Sequence, residues 1–226
     1  LLQSIAFLDK LERFNDVPHR VKIEDKFMES SELALLLENM KVEEWRDLTM
    51  FLALSGLRFG EAAALTRSDV DTKNRNIRVD KNYDYINNVT TSTKTTCSER
   101  DVYMQDELAA LCRKIKAASF ASTTIQRINS QNLFFSDENG EHIKYYAYNK
   151  YLRENTLRLL GKAYTPHSLR HTHASLLLEQ DIDVDSISRR LGHADSTVTK
   201  EIYLHITEKK QEKENMKLKE LKLIAK

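Results

Sequence analysis

The sequence predicts a mainly α-helical domain with a small antiparallel β-sheet, an α+β fold. Apolar residues recur at helical spacing along most of the chain. Between Arg75 and Met104 the pattern changes to short runs of β-branched and aromatic residues, separated by Asn and Thr clusters that are typical of turns. At 226 residues the chain is long enough to bury a substantial core, as one large domain or two small ones.

The helices that precede the sheet have recognisable ends. Ser30 or Ser31 can cap a helix that runs through Met40. A second helix is predicted over Glu43–Ser55, and Gly56 supplies a left-handed stop. These signals predict two short helices close together before the sheet begins.

A short helix over residues 60–65 leads into the sheet. Segment 90–96 is too polar for a core strand and is predicted to form the exposed tip between the second and third strands. The strand residues are Ile77 and Val79, then Tyr83, Tyr85 and Ile86, then Val102 and Met104. Further helices are predicted over residues 106–118, 145–160, 168–180 and 184–191, and from about 196 towards 203.

The last segment, residues 207–226, alternates Lys with Glu and is predicted to form a terminal helix. Its imperfect apolar stripe consists of Met216, Leu218, Leu221, Leu223 and Ile224. Such a helix can dock on a neighbouring molecule or pack on its own domain, and the sequence favours neither alternative.

Composition excludes several classes of protein. The formal charge is +1, from 35 basic and 34 acidic residues, so net charge does not predict nucleic-acid binding and any positive footprint must be local. Cys97 and Cys112 lack the spacing of a metal knuckle or a disulfide framework, which favours reduced thiols. Neither a signal peptide nor an apolar stretch that could span a membrane is visible, and a cytoplasmic location is expected.

Two arginines are placed to bind a phosphate. Attack on a phosphodiester requires positive charge near the anion, and guanidinium groups can bracket its oxygens with bidentate hydrogen bonds. Arg58 lies at a helix junction between Gly56 and Gly60. Arg170 lies one turn after His167 on a helix, so their side chains share a face.

Three blocks of sequence occur in one order: Gly56-Leu57-Arg58-Phe59-Gly60-Glu61, then His167 with Arg170, then Leu191-Gly192-His193 followed by Tyr203. Together they resemble the tyrosine recombinases, the phage and transposon integrase family. The resemblance covers residues 27 to 203 and implies the fold of that family's catalytic domain. It also implies site-specific DNA recombination as the function.

The resemblance assigns a role to each site residue. Arg58 matches the first catalytic arginine, Lys94 the hairpin lysine, His167 and Arg170 the histidine and second arginine, His193 the following histidine, and Tyr203 the nucleophile, while Glu61 matches an acidic position that supports the first arginine. Lys73 and Lys81 also lie in the sheet region, but Lys94 has the Thr-flanked hairpin setting. Lys94 is therefore preferred.

The chemistry implied by this likeness is transesterification. Tyr203 would attack a DNA phosphate and form a 3′-phosphotyrosyl bond, with His167 as the proton acceptor. Lys94 would protonate the departing 5′-oxygen, and His193 would hydrogen-bond a phosphate oxygen. Neither a metal, ATP nor another cofactor is needed.

The resemblance also implies partners and a domain organisation. The partners are double-stranded DNA recombination sites, three further copies in a homo-tetramer on DNA, and accessory excision or host DNA-bending proteins. Binding to a membrane is not expected. Residues 1–20 are expected to be the remnant of a preceding core-binding domain with its linker. Residues 21–206 form the catalytic domain, and 207–226 a tail helix that can be exchanged between subunits.

Two other functions fit parts of the sequence. Residues 185–193 followed by 196–199 look like a helix-turn-helix, and that segment alone suits a non-catalytic DNA-binding regulator equally well. A regulator, however, has no use for Arg58, Lys94 and Tyr203. A metal-dependent phosphodiesterase could use His167, His171 and His173, but the carboxylates that such sites need are missing nearby. Helix packing and hydrogen bonding are the roles expected of His171 and His173.

Overall fold

The computed structural model describes residues 23–92, 99–121, 132–192 and 197–221. Within these residues the chain is mainly helical with small antiparallel sheets, which confirms the predicted fold class. The helices are α1 (Ser30–Asn39), α2 (Glu43–Ser55), α3 (Phe59–Ala64), α4 (Asp106–Ala121), α5 (Tyr145–Leu160), α6 (Pro166–Glu179), α7 (Val184–Leu191) and α8 (Thr197–Glu220). The strands are β1 (Val70–Asp71), β2 (Asn76–Val79), β3 (Lys81–Asp84), β4 (Val89–Ser92) and β5 (Arg100–Tyr103).

The cap of α1 differs from the prediction that Ser30 or Ser31 fills it. Glu29 is the N-cap residue, and its backbone N–H donates to the Glu32 carboxylate at 2.9 Å. Because the Glu32 side chain reaches back to satisfy this amide, the two serines become the first helical residues instead.

The strands form two sheets where the sequence predicted one. One sheet has the order β1-β2-β5, and β3 pairs only with β4 among the described strands. The exposed tip was predicted to begin at Thr90, but residues 90–92 belong to β4, although they are exposed as expected. Residues 93–96 of that tip lie outside the described residues.

The β3–β4 hairpin packs on α3 because Gly60 has no side chain. A Cβ atom at Gly60 would lie 2.5 Å from Oδ1 of Asn82 and 2.7 Å from the carbonyl oxygen of Tyr83. This close approach brings the hairpin against the helix that follows Arg58.

The core is centred on α2, which packs on α4 and α6. Leu48, Phe51 and Leu52 of α2 are buried in the main cluster. A second cluster joins α6, α7 and the first turns of α8 through Ala174, Leu178, Ile187, Leu191, Ile202 and Ile206. The beginning of α8 is thereby fixed against the helix that carries Arg170.

The helix α8 is continuous from Thr197 to Glu220, so the prediction of two separate helices is wrong. No Gly or Pro interrupts this segment, which leaves no local signal for a break. Its second half exposes Met216 and Leu218, and Leu221 just after its end is also exposed. A bilayer-spanning helix, which would have to be longer and more apolar, is not found among the described residues.

Candidate active site

The junction between α2 and α3 positions Arg58. Gly56 ends α2 in the left-handed conformation, with φ of 70° and its N–H bonded to the carbonyl of Leu52. Arg58 then lies in extended conformation before α3, and both its backbone N–H and its Nη1 donate to Glu61, at 2.9 and 2.7 Å. The Arg58 side chain is 38% exposed while that of Glu61 is 3% exposed. The Arg58 guanidinium is thus held by the buried Glu61 carboxylate and remains partly open to solvent.

Glu61 also binds a residue that the sequence analysis missed. Arg100 donates from Nη1 to Oε1 at 3.1 Å and from Nη2 to Oε2 at 2.8 Å, and its side chain is 7% exposed. Strand alternation was the available signal, because Arg100 shares a face of β5 with the buried Val102.

The Glu61 carboxylate remains ionised in this buried position. Burial raises its pKa, but the hydrogen bond and charge of Arg100, the charge of Arg170 and the backbone bond from Arg58 together lower it below its ordinary value. One buried negative charge therefore lies among three guanidinium groups.

Arg170 lies on α6, which begins two residues earlier than predicted. Thr165 is the N-cap and Pro166 occupies the first turn, where its missing N–H costs no hydrogen bond. The Arg170 side chain is buried, and its guanidinium donates to the carbonyl of Gly56 at 2.7 Å and to that of Leu191. These carbonyls end α2 and α7, where the helix dipoles favour a cation.

The charge of Arg170 is coupled to Arg58. Burial and the nearby Arg58 lower the pKa of the Arg170 guanidinium, and Glu61 raises it. A guanidinium stays protonated in proteins, so Arg170 is positively charged at neutral pH. The two arginines predicted to share a phosphate therefore lie close enough to repel one another, and Glu61 lies close to both.

His167 lies at the open side of this cluster. Together with Arg58 it lines a cleft of about 410 Å³ between α3, the β3–β4 hairpin and α6. The side chain is exposed, yet burial of part of the ring, then the charge of Arg170, then that of Arg58 lower its pKa. His167 is consequently a neutral imidazole at pH 7 and can accept a proton.

Tyr203 lies on α8 beside the buried Ile202 and is 44% exposed. The backbone carbonyl of Tyr203 accepts a hydrogen bond from the Thr207 hydroxyl at 2.8 Å, within the same helix. The structure thus brings together four predicted site residues, Arg58, Glu61, His167 and Arg170, and places Tyr203 on a helix that packs on α6.

Lys94 and His193 lie outside the described residues, and their roles stay predictions. The structure does bear on the alternative lysines of the sheet region. Lys81 forms ion pairs with Asp69 at 2.8 Å and with Asp80 at 3.2 Å, and Lys73 is exposed. Lys81 is therefore engaged by two carboxylates, and the hairpin role of Lys94 stays a prediction.

His173 has a structural role, as the sequence suggested. It is buried, its Nδ1–H donates to the carbonyl of Ala53 at 2.8 Å, and its Nε2 accepts from Nε of Arg190 at 2.9 Å. Burial, followed by the charge of Arg190, lowers its pKa to about 3. Among the described residues no group of three His, Cys, Asp or Glu is placed to hold a metal ion.

The chain was compared with known proteins. Residues 26–210 match the model of the phage integrase family. The chain is 32% identical over 180 residues to the integrase of Staphylococcus phage L54a, which covers 75% of this chain and 50% of that protein. It is also 32% identical over 200 residues to a probable integrase of prophage ps2 from Lactococcus lactis subsp. lactis (strain IL1403), covering 83% and 52%.

Solved structures share the fold. The Tn1549 transposon integrase in complex with circular intermediate DNA matches with a TM-score of 0.64 and 22% identity, over 76% of this chain and 59% of that one. The XerA recombinase matches with a TM-score of 0.61 and 23% identity, over 78% and 57%. The chain spans about half the length of the curated relatives that it matches.

Proposed function

This chain belongs to the phage integrase family, and on that premise we propose that it is a site-specific recombinase that cleaves and rejoins double-stranded DNA through a covalent bond to Tyr203. One observation carries the proposal. Arg58 and Arg170, far apart in the sequence, both lie close enough to the buried Glu61 to lower its pKa, and Arg58 lines a cleft together with His167.

This cluster suits a DNA phosphate. Three guanidinium groups surround one carboxylate, so the site carries an excess of positive charge at the edge of an open cleft. Charge that is fixed before the reaction stabilises the extra negative charge of a pentavalent phosphorus without reorganisation. Arg58, the more exposed arginine, makes the first contact with the phosphate, and Arg170 holds its inner side.

Tyr203 supplies the nucleophile. An ordinary phenol has a pKa of about 10, so attack at neutral pH requires a proton acceptor. His167 is neutral because burial and the arginine charges lower its pKa, and it takes the phenol proton. The Tyr203 oxygen then bonds to phosphorus, and its partly exposed position on α8 leaves it accessible to DNA.

Lys94 protonates the leaving group. As the bond between phosphorus and the 5′-oxygen breaks, the Lys94 ammonium gives that oxygen a proton, which leaves a 5′-hydroxyl and a 3′-phosphotyrosyl ester. His193 donates a hydrogen bond to a phosphate oxygen. A 5′-hydroxyl from a second strand reverses these steps on the same ester and rejoins the DNA, so the scheme needs neither metal nor ATP.

The relatives support a proposal for the biological role. Integrases of a phage, a prophage and a transposon are among the proteins that this chain resembles, and we assign it to the integration or excision of a mobile element. The reaction takes place in a tetramer on two duplexes. The exposed Met216 and Leu218 of α8, with the exposed Leu221 just after it, support exchange of the tail between subunits.

The test is covalent capture from a pool of DNA duplexes with a nick and a randomised central sequence. The 226-residue chain is incubated with the pool in EDTA, and the DNA that stays attached after denaturation is sequenced. We expect a selected sequence that is joined to protein, no capture with Tyr203→Phe, and normal capture with Tyr103→Phe, which changes an exposed tyrosine of β5.

The same assay decides between the alternatives. A regulator that reads DNA with α7 and α8 would leave no DNA attached to the protein after denaturation. A metal-dependent phosphodiesterase would lose its activity in EDTA. Failure of the wild-type chain to form any covalent complex would overturn the proposed function.

A further inference from the structure

Arg100, at the start of β5, binds two other parts of the site. Its guanidinium makes two hydrogen bonds to the Glu61 carboxylate on α3, at 3.1 and 2.8 Å. Its Nε donates to the carbonyl of Arg190, near the end of α7, at 2.7 Å. The side chain is 7% exposed, so this position is set by protein contacts.

The two elements that Arg100 joins to α3 lead directly to Lys94 and His193. Arg100 is the first residue of β5, which follows the segment that contains Lys94. Arg190 lies three residues before His193. The Arg100 side chain therefore links Glu61, and through it Arg58, to the start of β5 and to the end of α7.

We propose that Arg100 is a positioning residue that fixes the start of β5, the strand that follows Lys94 in the sequence, relative to Arg58 and the phosphate that Arg58 would hold. The proposal rests on the proposed function. A bidentate guanidinium fixes both distance and angle, whereas an ammonium at the same place is a point charge that bonds one oxygen at a time. Because general acid catalysis depends on geometry first, loosening the start of β5 impairs protonation of the leaving 5′-oxygen by Lys94.

The matching variant is Arg100→Lys, which keeps the positive charge beside Glu61 but removes the bidentate contact and the bond to the Arg190 carbonyl.

A duplex in which sulfur replaces the bridging 5′-oxygen separates protonation of the leaving group from phosphate binding. A thiolate leaves without a proton, so a defect in the general acid disappears with this duplex, whereas a defect in phosphate binding persists.

The experiment measures single-turnover cleavage of the captured duplex with oxygen or sulfur at that position. The amplitude reports the fraction of folded protein and the rate constant reports the chemistry, so partial unfolding does not imitate the effect. We expect Arg100→Lys to slow cleavage of the oxygen duplex by about 10-fold to 100-fold, as a weakened general acid does. Cleavage of the sulfur duplex should proceed near the wild-type rate.

Two controls frame the result. Lys94→Met should show the same pattern in a stronger form, and Arg78→Lys, at an exposed arginine of β2, should leave both rates unchanged. If Lys94→Met is rescued by sulfur but Arg100→Lys is not, the positioning proposal is overturned and the proposed function stands. If the wild-type chain forms no covalent complex, the proposed function fails and the positioning role fails with it.

Discussion

Glu61 accepts two hydrogen bonds from Arg58, one from the backbone N–H at 2.9 Å and one from the guanidinium at 2.7 Å. The first bond satisfies an amide at the start of α3, and the second orients the side chain that borders the cleft. One carboxylate therefore stabilises the local fold and prepares the phosphate site, so changes at Glu61 should affect both.

Glu61→Gln should be strongly destabilising. The amide has nearly the same shape, but it leaves the charges of Arg58, Arg100 and Arg170 without a negative partner and points N–H groups at guanidinium donors. Removing one partner of a buried ion pair costs about 3–5 kcal/mol. The free energy of unfolding in urea at neutral pH measures this loss.

Glu44→Gln is the matched control, because Glu44 is exposed on α2. Its midpoint of unfolding should stay close to that of the wild type. An equally small change for Glu61→Gln would show that the buried carboxylate contributes little net stability.

The stabilisation from Glu61 should depend on pH. The pKa of the folded carboxyl is lowered from 4.5, so folding favours the ionised form. This contribution is fully present above the unfolded value and is lost as the pH falls through the lower folded value. The difference in free energy of unfolding between wild type and Glu61→Gln should therefore be constant near neutrality and shrink below about pH 4.5. A difference that does not change in acid would contradict this assignment.

Local sequence patterns predicted most of the helices because the residues at and next to a helix end determine where the helix begins or stops. Gly56 ends α2 as its position in the sequence indicated, and Asp106 begins α4 at the predicted residue. The sheets were harder to predict. Whether β3 continues the first sheet or leaves it depends on the contact of Gly60 with Tyr83, which joins segments far apart in the sequence.

The candidate site shows the same division. Arg58, His167 and Arg170 were identified from short blocks of sequence, and the structure brings them together. Arg100 was not predicted as a site residue because its role depends on hydrogen bonds to Glu61 and Arg190, which lie 39 and 90 residues away in the sequence. A motif read along the chain cannot reveal such a contact, although the inward-facing position on β5 could have raised the question.

His167 should titrate below the ordinary value for histidine. Burial, the charge of Arg170 and the charge of Arg58 all lower its pKa from 6.5. The ring is therefore neutral at neutral pH, and it becomes protonated and stops acting as a base only in more acid solution. NMR titration of the imidazole, assigned with His167→Asn, measures this directly. In Arg58→Met the pKa should move back towards 6.5. A wild-type pKa at or above 6.5 would rule out the proposed electrostatic environment.

Gly56 and Gly161 provide a matched pair, because both end a helix in the left-handed conformation, with φ of 70° and 71°. Gly161→Ala meets no atom within 4 Å and should cost only the strain of that conformation, about 1–2 kcal/mol. At Gly56 a Cβ atom would lie 2.5 Å from the His173 ring and 2.7 Å from Leu191. Overpacking should add about 1–3 kcal/mol there.

Urea unfolding of the two alanine variants tests this difference. The same steric conflict has a functional consequence, because Gly56 and Leu191 supply the carbonyls that hold Arg170. Gly56→Ala should therefore slow covalent capture of DNA as well as destabilise the fold, whereas Gly161→Ala should leave capture unchanged once the protein is folded. Equal losses of stability in the two variants would mean that His173 and Leu191 move aside without cost, and the tight packing behind Arg170 would then not be what keeps it in place.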